Sequence, residues 1–127
     1  MKKPTATSNL SVKFGDVVVV PFPYSDKLAE KRRPALVVSS TSFNARQSLV
    51  WVMMITSAEN KGQPDDIEFA LKSTGLTSAS VLRPSKIATI ESNRIVRIIG
   101  KLDRKSLVKL SEVIATVLGY AAATALD

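Results

Sequence analysis

Short runs of apolar, mostly β-branched residues recur along the chain and are separated by Gly, Pro, Asn and Asp. Runs of this length, bounded by turn-forming residues, are typical of β-strands. Because many short strands follow one another, the pattern predicts a mainly β protein built as a barrel or a sandwich. The predicted strands cover residues 16–21, 35–39, 49–55, 66–69, 80–82, 87–90 and 95–102.

One segment near the C-terminus has the periodicity of a helix. The helix is predicted to begin at about Arg104, with Asp103 as its N-cap. Gly119 can end the helix, although the alanines beyond it favour continuation toward Ala125. Apolar side chains spaced three and four residues apart predict one face that packs on the barrel, formed by Leu107, Leu110, Ile114, Val117, Leu118 and Ala121.

The length of 127 residues predicts one domain with one core. Residues 1–12 are mostly polar and have no apolar periodicity, so we expect a disordered lead-in followed by a single domain over residues 13–127. Two polar connections, residues 24–32 and 58–65, are predicted to be loops. Loops on a rigid scaffold often carry function, so both are expected to flank a site.

The sequence has no cysteine and no histidine. Disulfides, zinc sites, thiol nucleophiles and histidine acid/base pairs are therefore excluded. The carboxylates of Asp65, Asp66 and Glu68 are candidates for holding Mg²⁺, but neighbouring side chains on a turn that enters a strand point in different directions. We expect neither a metal nor a cofactor. No apolar run approaches the roughly 20 residues that span a bilayer and no signal peptide is evident, so a cytoplasmic location is expected.

The chain carries a net charge of +7, and much of it is concentrated in residues 83–105. That stretch has seven basic residues against two acidic ones, a local excess of five positive charges. A polyanion is the natural partner of such a stretch. The alternatives are a solvated basic surface and attraction to anionic lipid, and no basic amphipathic helix or lipidation signal supports the latter.

Five segments together resemble one known family. They are Gly-Asp-Val-Val-Val-Val-Pro-Phe-Pro-Tyr at 15–24, Arg-Arg-Pro-Ala-Leu-Val-Val-Ser at 32–39, Met-Ile-Thr-Ser at 54–57, Ser-Val-Leu-Arg-Pro-Ser-Lys-Ile-Ala-Thr-Ile at 80–90, and Gly-Lys-Leu at 100–102. In this order, and over about residues 14–120, the chain resembles the MazF/PemK family of toxin ribonucleases.

The resemblance implies an SH3-like barrel that forms a homodimer, cuts single-stranded RNA, and is silenced by an acidic antitoxin protein. It further implies metal-independent cleavage of mRNA that leaves a 2′,3′-cyclic phosphate and a 5′-hydroxyl and inhibits translation and growth. The family's catalytic arginine and threonine correspond to Arg33 and Thr56. Arginine supplies forked donors to phosphate oxygens, and a threonine hydroxyl can bind the same phosphate.

Arg83 matches an arginine that contacts phosphate in some family members. We expect the RNA backbone to be bound by Ser57, Arg83, Ser85 and Lys86, and a base to stack on Tyr24. Phe22 could stack a base, but a place in the barrel core is the better interpretation of this residue. Some members carry an aspartate credited with acid/base work at the position of Ser85, so a mechanism that needs that carboxylate is not expected here. Glu30 is a weak counterpart of a glutamate that some members carry in the first loop.

Two alternatives to the ribonuclease function remain open at the level of the sequence. The same barrel occurs in toxins that resemble CcdB, which bind DNA gyrase and cut nothing, and a basic barrel can also serve as a DNA-binding or RNA-binding regulator. The presence of both Arg33 and Thr56 favours the ribonuclease.

Overall fold

A computed structural model of the protein describes residues 11–21, 31–60 and 62–119. Its two helices are α1 (Thr41–Gln47) and α2 (Arg104–Val117), and single 3₁₀ turns lie at Ala58–Asn60 and Ser92–Arg94. The six strands are β1 (Asp16–Pro21), β2 (Arg32–Val37), β3 (Leu49–Ser57), β4 (Ile67–Glu68), β5 (Ser80–Glu91) and β6 (Arg97–Lys101).

The strands form one antiparallel sheet in the order β4-β5-β3-β2-β1-β6. The sheet curls, so that the segment after β4 reaches β6, where Lys101 N donates to Ser73 O at 2.8 Å. This approach requires glycine, because a Cβ on Gly100 would lie 2.4 Å from Ser73 O. The prediction of a mainly β fold with a C-terminal helix is confirmed.

Both faces of the sheet are apolar, which explains why β1 reads as an unbroken run of valines rather than an alternation. The core is therefore divided into two clusters instead of the single one expected. The first face buries Val18, Val20, Ala35, Val37, Val50 and Val52. The second face lies beneath α2 and buries Val17, Leu36, Met53, Ile55, Leu82 and Leu110.

The predicted ends of α2 are observed. The side chain of Asp103 accepts a hydrogen bond from Ser106 N at 3.2 Å. A hydrogen bond from the Ser106 side chain is the main cause that lowers the pKa of Asp103, and the Ser106 main-chain amide adds to it. At the other end, Gly119 has a φ of +78°. The predicted apolar face was wrong for the last turn, because Val117 and Leu118 are 49% and 71% exposed. Ala121 and Ala125 lie outside the described residues.

Helix α1 was not predicted, because its sequence, Thr-Ser-Phe-Asn-Ala-Arg-Gln, has no apolar stripe. Its N-terminus is capped by Ser40, whose side chain accepts from Phe43 N at 3.1 Å. The buried Asn44 donates from Nδ2 to Val12 O at 3.2 Å. Val12 itself is 2% exposed within the first core cluster, although it was included in the expected lead-in. Residues 1–10 lie outside the described part of the chain.

Of the seven predicted strands, only the one at 16–21 matches an observed strand at both ends. The strand predicted at 35–39 is observed as β2 over 32–37, and that predicted at 49–55 is observed as β3 over 49–57. Residues 80–82 and 87–90 belong to one long strand, β5. The strand predicted at 66–69 is limited to β4, and that predicted at 95–102 is limited to β6.

Candidate active site

The pairing of β2 with β3 brings Arg33 and Thr56 together. The recorded pairs run from Val37 opposite Val52 to Ala35 opposite Met54. Both strands extend beyond the last pair, and continuing its register by two residues places Arg33 opposite Thr56. Directly opposed residues of antiparallel strands have side chains on the same face, with Cβ atoms about 5 Å apart. Two residues 23 positions apart in the sequence thus share one small area of the sheet.

Arg33 lies near the start of β2 with its side chain exposed. On the side of β2 away from β3, Arg33 lies opposite Val20 of β1. The side chain of Arg33 therefore leaves the sheet on the same face as the first core cluster. The structure records no hydrogen bond or ion pair between Arg33 and another described residue. Its guanidinium is therefore available to an anion as far as residues 11–21, 31–60 and 62–119 are concerned.

Thr56 is half-buried near the end of β3. Its Oγ1 accepts a hydrogen bond from Asn60 Nδ2 at 3.4 Å, within the 3₁₀ turn that follows the strand. The neighbouring Ser57 is exposed, and its Oγ accepts from Glu59 N at 3.2 Å. Because Asn60 occupies an acceptor position of the threonine hydroxyl, the hydroxyl proton can point elsewhere.

A bulge interrupts β5 beside this site. Met53 lies opposite Ile87, whereas the next residue of β3, Met54, lies opposite Arg83. Residues 84–86 therefore have no partner in the β3–β5 ladder. The side chains of Ser85 and Lys86 are exposed at this bulge. Bulges re-aim side chains and are frequent next to active sites. That Ser85 and Lys86 bind RNA stays a prediction.

Arg83 differs from the other basic residues of the site, because only 11% of its side chain is exposed. Its Nε donates to Asp66 Oδ1 at 3.0 Å and its Nη2 to Asp66 Oδ2 at 2.8 Å. The same Nη2 donates to the main-chain oxygen of Asn60 at 2.7 Å. The hydrogen bond from Arg83 is the main cause that lowers the pKa of Asp66, and the Gln63 and Gly62 amides add to it.

The carboxylates considered as magnesium ligands have other surroundings than a shared metal site would give them. Asp66 is engaged by Arg83 through both carboxylate oxygens. Within residues 11–21, 31–60 and 62–119, no three acidic side chains lie close enough together to hold a metal ion.

The structure places Thr56, Arg83, Ser85 and Lys86 on the adjacent strands β3 and β5, and the continued register of β2 places Arg33 opposite Thr56. Ser57 directly follows Thr56 in β3, so its side chain leaves the sheet on the opposite face. Phe22, Tyr24 and Glu30 lie outside the described residues. Asn60 was missed, and Asp66 was considered only as a metal ligand. Asn60 follows Thr56 by four residues, a spacing that suits a turn, but its contact with Arg83 spans 23 residues and leaves no local pattern.

Residues 13–118 match the family model described as PemK-like, MazF-like toxin of type II toxin-antitoxin system. The chain belongs to this family. Among the described residues of this toxin, no helix is long and apolar enough to cross a membrane.

Solved structures of MazF proteins have the same fold as this toxin. MazF (form I) from Deinococcus radiodurans has a TM-score of 0.70 at 22% identity, and the match covers 87% of this chain and 99% of the MazF chain. An endoribonuclease in complex with its cognate antitoxin, from a mycobacterial species, has a TM-score of 0.68 at 19% identity, covering 87% and 95% of the two chains. The Mycobacterium tuberculosis toxin MazF-mt6 has a TM-score of 0.67 at 21% identity, covering 81% and 95%. No curated protein matches the sequence.

Proposed function

We propose that this toxin is an endoribonuclease that cleaves single-stranded RNA without a metal ion or cofactor. The observation that supports the proposal is the β2–β3 register, which, continued by two residues beyond its last recorded pair, sets Arg33 opposite Thr56 on one face of the sheet. An exposed guanidinium next to an oriented hydroxyl suits a phosphodiester, because both groups can bind non-bridging phosphate oxygens.

The reaction uses the nucleophile that RNA itself carries. The 2′-oxygen attacks the adjacent phosphorus and loses its proton, while the bond from phosphorus to the 5′-oxygen breaks and that oxygen gains a proton. The products are a 2′,3′-cyclic phosphate and a 5′-hydroxyl. Water beside Arg33 serves as the proton acceptor and donor, because Ser85 replaces the carboxylate that would otherwise be available.

The protein's own contribution is position and charge. Arg33 places forked donors on the phosphate and offsets the negative charge that grows in the transition state. Thr56 donates its hydroxyl proton to the same phosphate while Asn60 holds its oxygen. The exposed Ser57, Ser85 and Lys86 contact the RNA backbone around this point. Tyr24 completes the predicted surface by stacking on a base.

The biological role follows from the family. We propose that the protein acts as a homodimer in the cytoplasm, cuts mRNA and so arrests translation and growth. A cognate acidic antitoxin covers the basic surface and competes with RNA. The support for this partner is the excess of positive charge in residues 83–105 and the family to which the chain belongs.

The decisive experiment compares an RNA oligonucleotide with a DNA oligonucleotide of the same sequence, using purified protein in excess EDTA. We expect the RNA alone to be cut, with a cyclic phosphate on the 5′ fragment, because DNA lacks the 2′-hydroxyl. Binding of either nucleic acid without cleavage would favour a regulator. Binding of gyrase without cleavage would favour a toxin that resembles CcdB. A requirement for Mg²⁺ would overturn the mechanism.

A further inference from the structure

The ion pair between Asp66 and Arg83 connects the interior of the protein to Thr56. Asp66 takes two hydrogen bonds from Arg83, and Arg83 in turn donates to the main-chain oxygen of Asn60 at 2.7 Å. The side chain of the same asparagine donates to Thr56 Oγ1. The contacts form one continuous chain from a carboxylate that is 7% exposed to the hydroxyl of the proposed site.

Arg83 is poorly placed to bind a phosphate of RNA. Its Nε proton and both Nη2 protons are directed at protein oxygens, two of them on Asp66. Its positive charge is also matched by the carboxylate next to it. A phosphate would have to compete with a short bidentate ion pair for a group that is only 11% exposed. This environment contrasts with that of Lys86, three residues further along the bulge, which is exposed.

We propose that Asp66 and Arg83 are positioning residues: they hold Asn60 in place, and Asn60 orients the Thr56 hydroxyl for RNA cleavage. The proposal rests on the ribonuclease function proposed above and changes the role of Arg83 from a contact with RNA to a support of the active site. The 3₁₀ turn of Asn60 is exposed and short, so it needs an anchor from the sheet. The hydrogen bond from Arg83 is that anchor.

Electrostatics and positioning predict opposite effects for removal of the Asp66 charge. Asp66→Asn makes the protein more positive by one unit and leaves the Arg83 guanidinium without its counter-charge. If charge alone mattered, RNA would bind more tightly and be cleaved at least as well. If Asp66 positions the site, the turn loses its anchor and kcat falls while KM stays the same or decreases. A displacement of about 1 Å at a reacting group can cost on the order of 10²-fold in rate.

The experiment measures kcat and KM for Asp66→Asn and for its matched control, Asp65→Asn. Asp65 is the adjacent carboxylate, it is exposed, and its replacement changes the net charge by the same amount. We expect kcat to fall by about 10-fold to 100-fold for Asp66→Asn and to remain unchanged for Asp65→Asn. Equal kcat values for the two variants would overturn the proposal.

A second variant addresses the case in which Asp66→Asn does not fold. Asn60→Ala changes an exposed side chain and should leave the fold intact. If Asn60 acts through Thr56, the variant loses about 10-fold in kcat alone but loses little more when Thr56→Val is already present. Independent, multiplicative losses in the double variant would show that Asn60 does not act through Thr56, and would overturn the proposal.

A spectroscopic measurement separates this proposal from the ribonuclease assignment. The NMR signal of the Asn60 side-chain amide in the free protein should move in Thr56→Val and in Asp66→Asn, but not in Asp65→Asn. Cleavage without these shifts would reject the positioning role and keep the ribonuclease. The shifts without any cleavage by the natural protein would show that the contacts exist and would overturn both the ribonuclease and the catalytic meaning of Asp66.

Discussion

The two arginines of the candidate site occupy contrasting surroundings on one face of the sheet. Arg33 lies at the start of β2 with an exposed side chain and no recorded partner among the described residues. Arg83 lies in β5, is mostly buried, and donates hydrogen bonds to Asp66 and Asn60. Both contribute one positive charge to the sequence, yet only the first offers that charge to a ligand. Local carboxylates and burial, rather than net charge, therefore decide which of the two arginines is accessible to an anion.

Replacing the exposed arginine should have the largest effect. We expect Arg33→Ala to reduce RNA cleavage by about 10²–10³-fold, since one preorganised donor to a developing charge is lost. Arg33→Lys should recover little of the lost cleavage rate, because an ammonium group lacks the forked pair of donors that a guanidinium presents. The control is Arg32→Ala, which removes a neighbouring exposed arginine from the opposite side of the strand. Near-normal cleavage by Arg33→Ala would remove the distinction between the two arginines.

Removing the hydroxyl of Thr56, opposite Arg33, should have the second-largest effect on cleavage. We expect Thr56→Val, which keeps the β-branched shape and removes the hydroxyl, to lose on the order of 10²-fold in cleavage rate. Thr89→Val is the matched control, because Thr89 is an exposed threonine of β5 that lies opposite Trp51, away from the site. Equal rates for the two valine variants would mean that Thr56 serves only to pack the strand.

The salt dependence of RNA binding can sharpen the comparison between buried and exposed cations. Each phosphate contact on single-stranded RNA adds roughly 0.7 to the slope of log affinity against log salt. We expect Lys86→Glu at the bulge to reduce the slope by about that amount. Arg83→Met should leave the slope unchanged, because its charge is already matched by Asp66. A reduced slope for Arg83→Met would place that arginine on the RNA.

The smallest expected effect is on stability at low pH. The folded-state pKa of Asp66 is lowered below its ordinary value of 3.8, mainly by the hydrogen bond from Arg83. The resulting stabilisation is complete above the ordinary pKa and is lost as the pH falls through the folded-state value. The melting temperature of the natural protein should therefore exceed that of Asp66→Asn by a constant amount near neutral pH, and the gap should narrow below about pH 4. A gap that widens in acid would contradict the ion pair.

The parts of the fold that were predicted are those with a local signal. Strand β1 is an unbroken apolar run, and α2 has both an apolar stripe and the N-cap Asp103. Helix α1 has no apolar stripe, and it is stabilised by the buried Asn44 and the bond from Asn44 to the distant Val12. Such tertiary contacts override local propensity and cannot be seen in a short window of sequence.

The site was predicted in part for the same reason. Arg33 and Thr56 stand in recognisable segments, and strand pairing alone brings them together. The contacts of Arg83 depend on a bulge in β5 and on a carboxylate 17 residues away. The resemblance to the family placed Arg83 among the RNA-binding residues, and the sequence does not show that the charge of Arg83 is matched by a buried carboxylate.

The bulge in β5 has a consequence for how such a toxin can diverge. Ser85 and Lys86 are exposed and make no pair with β3, so exchanging them changes the outer surface without moving the register that sets Thr56 opposite Val81. If the protein cuts RNA as proposed, selection can therefore alter which nucleotides the surface prefers while Thr56 stays in place. A library randomised at these two positions should yield proteins with new preferences and a retained fold far more often than one randomised within the paired residues on either side.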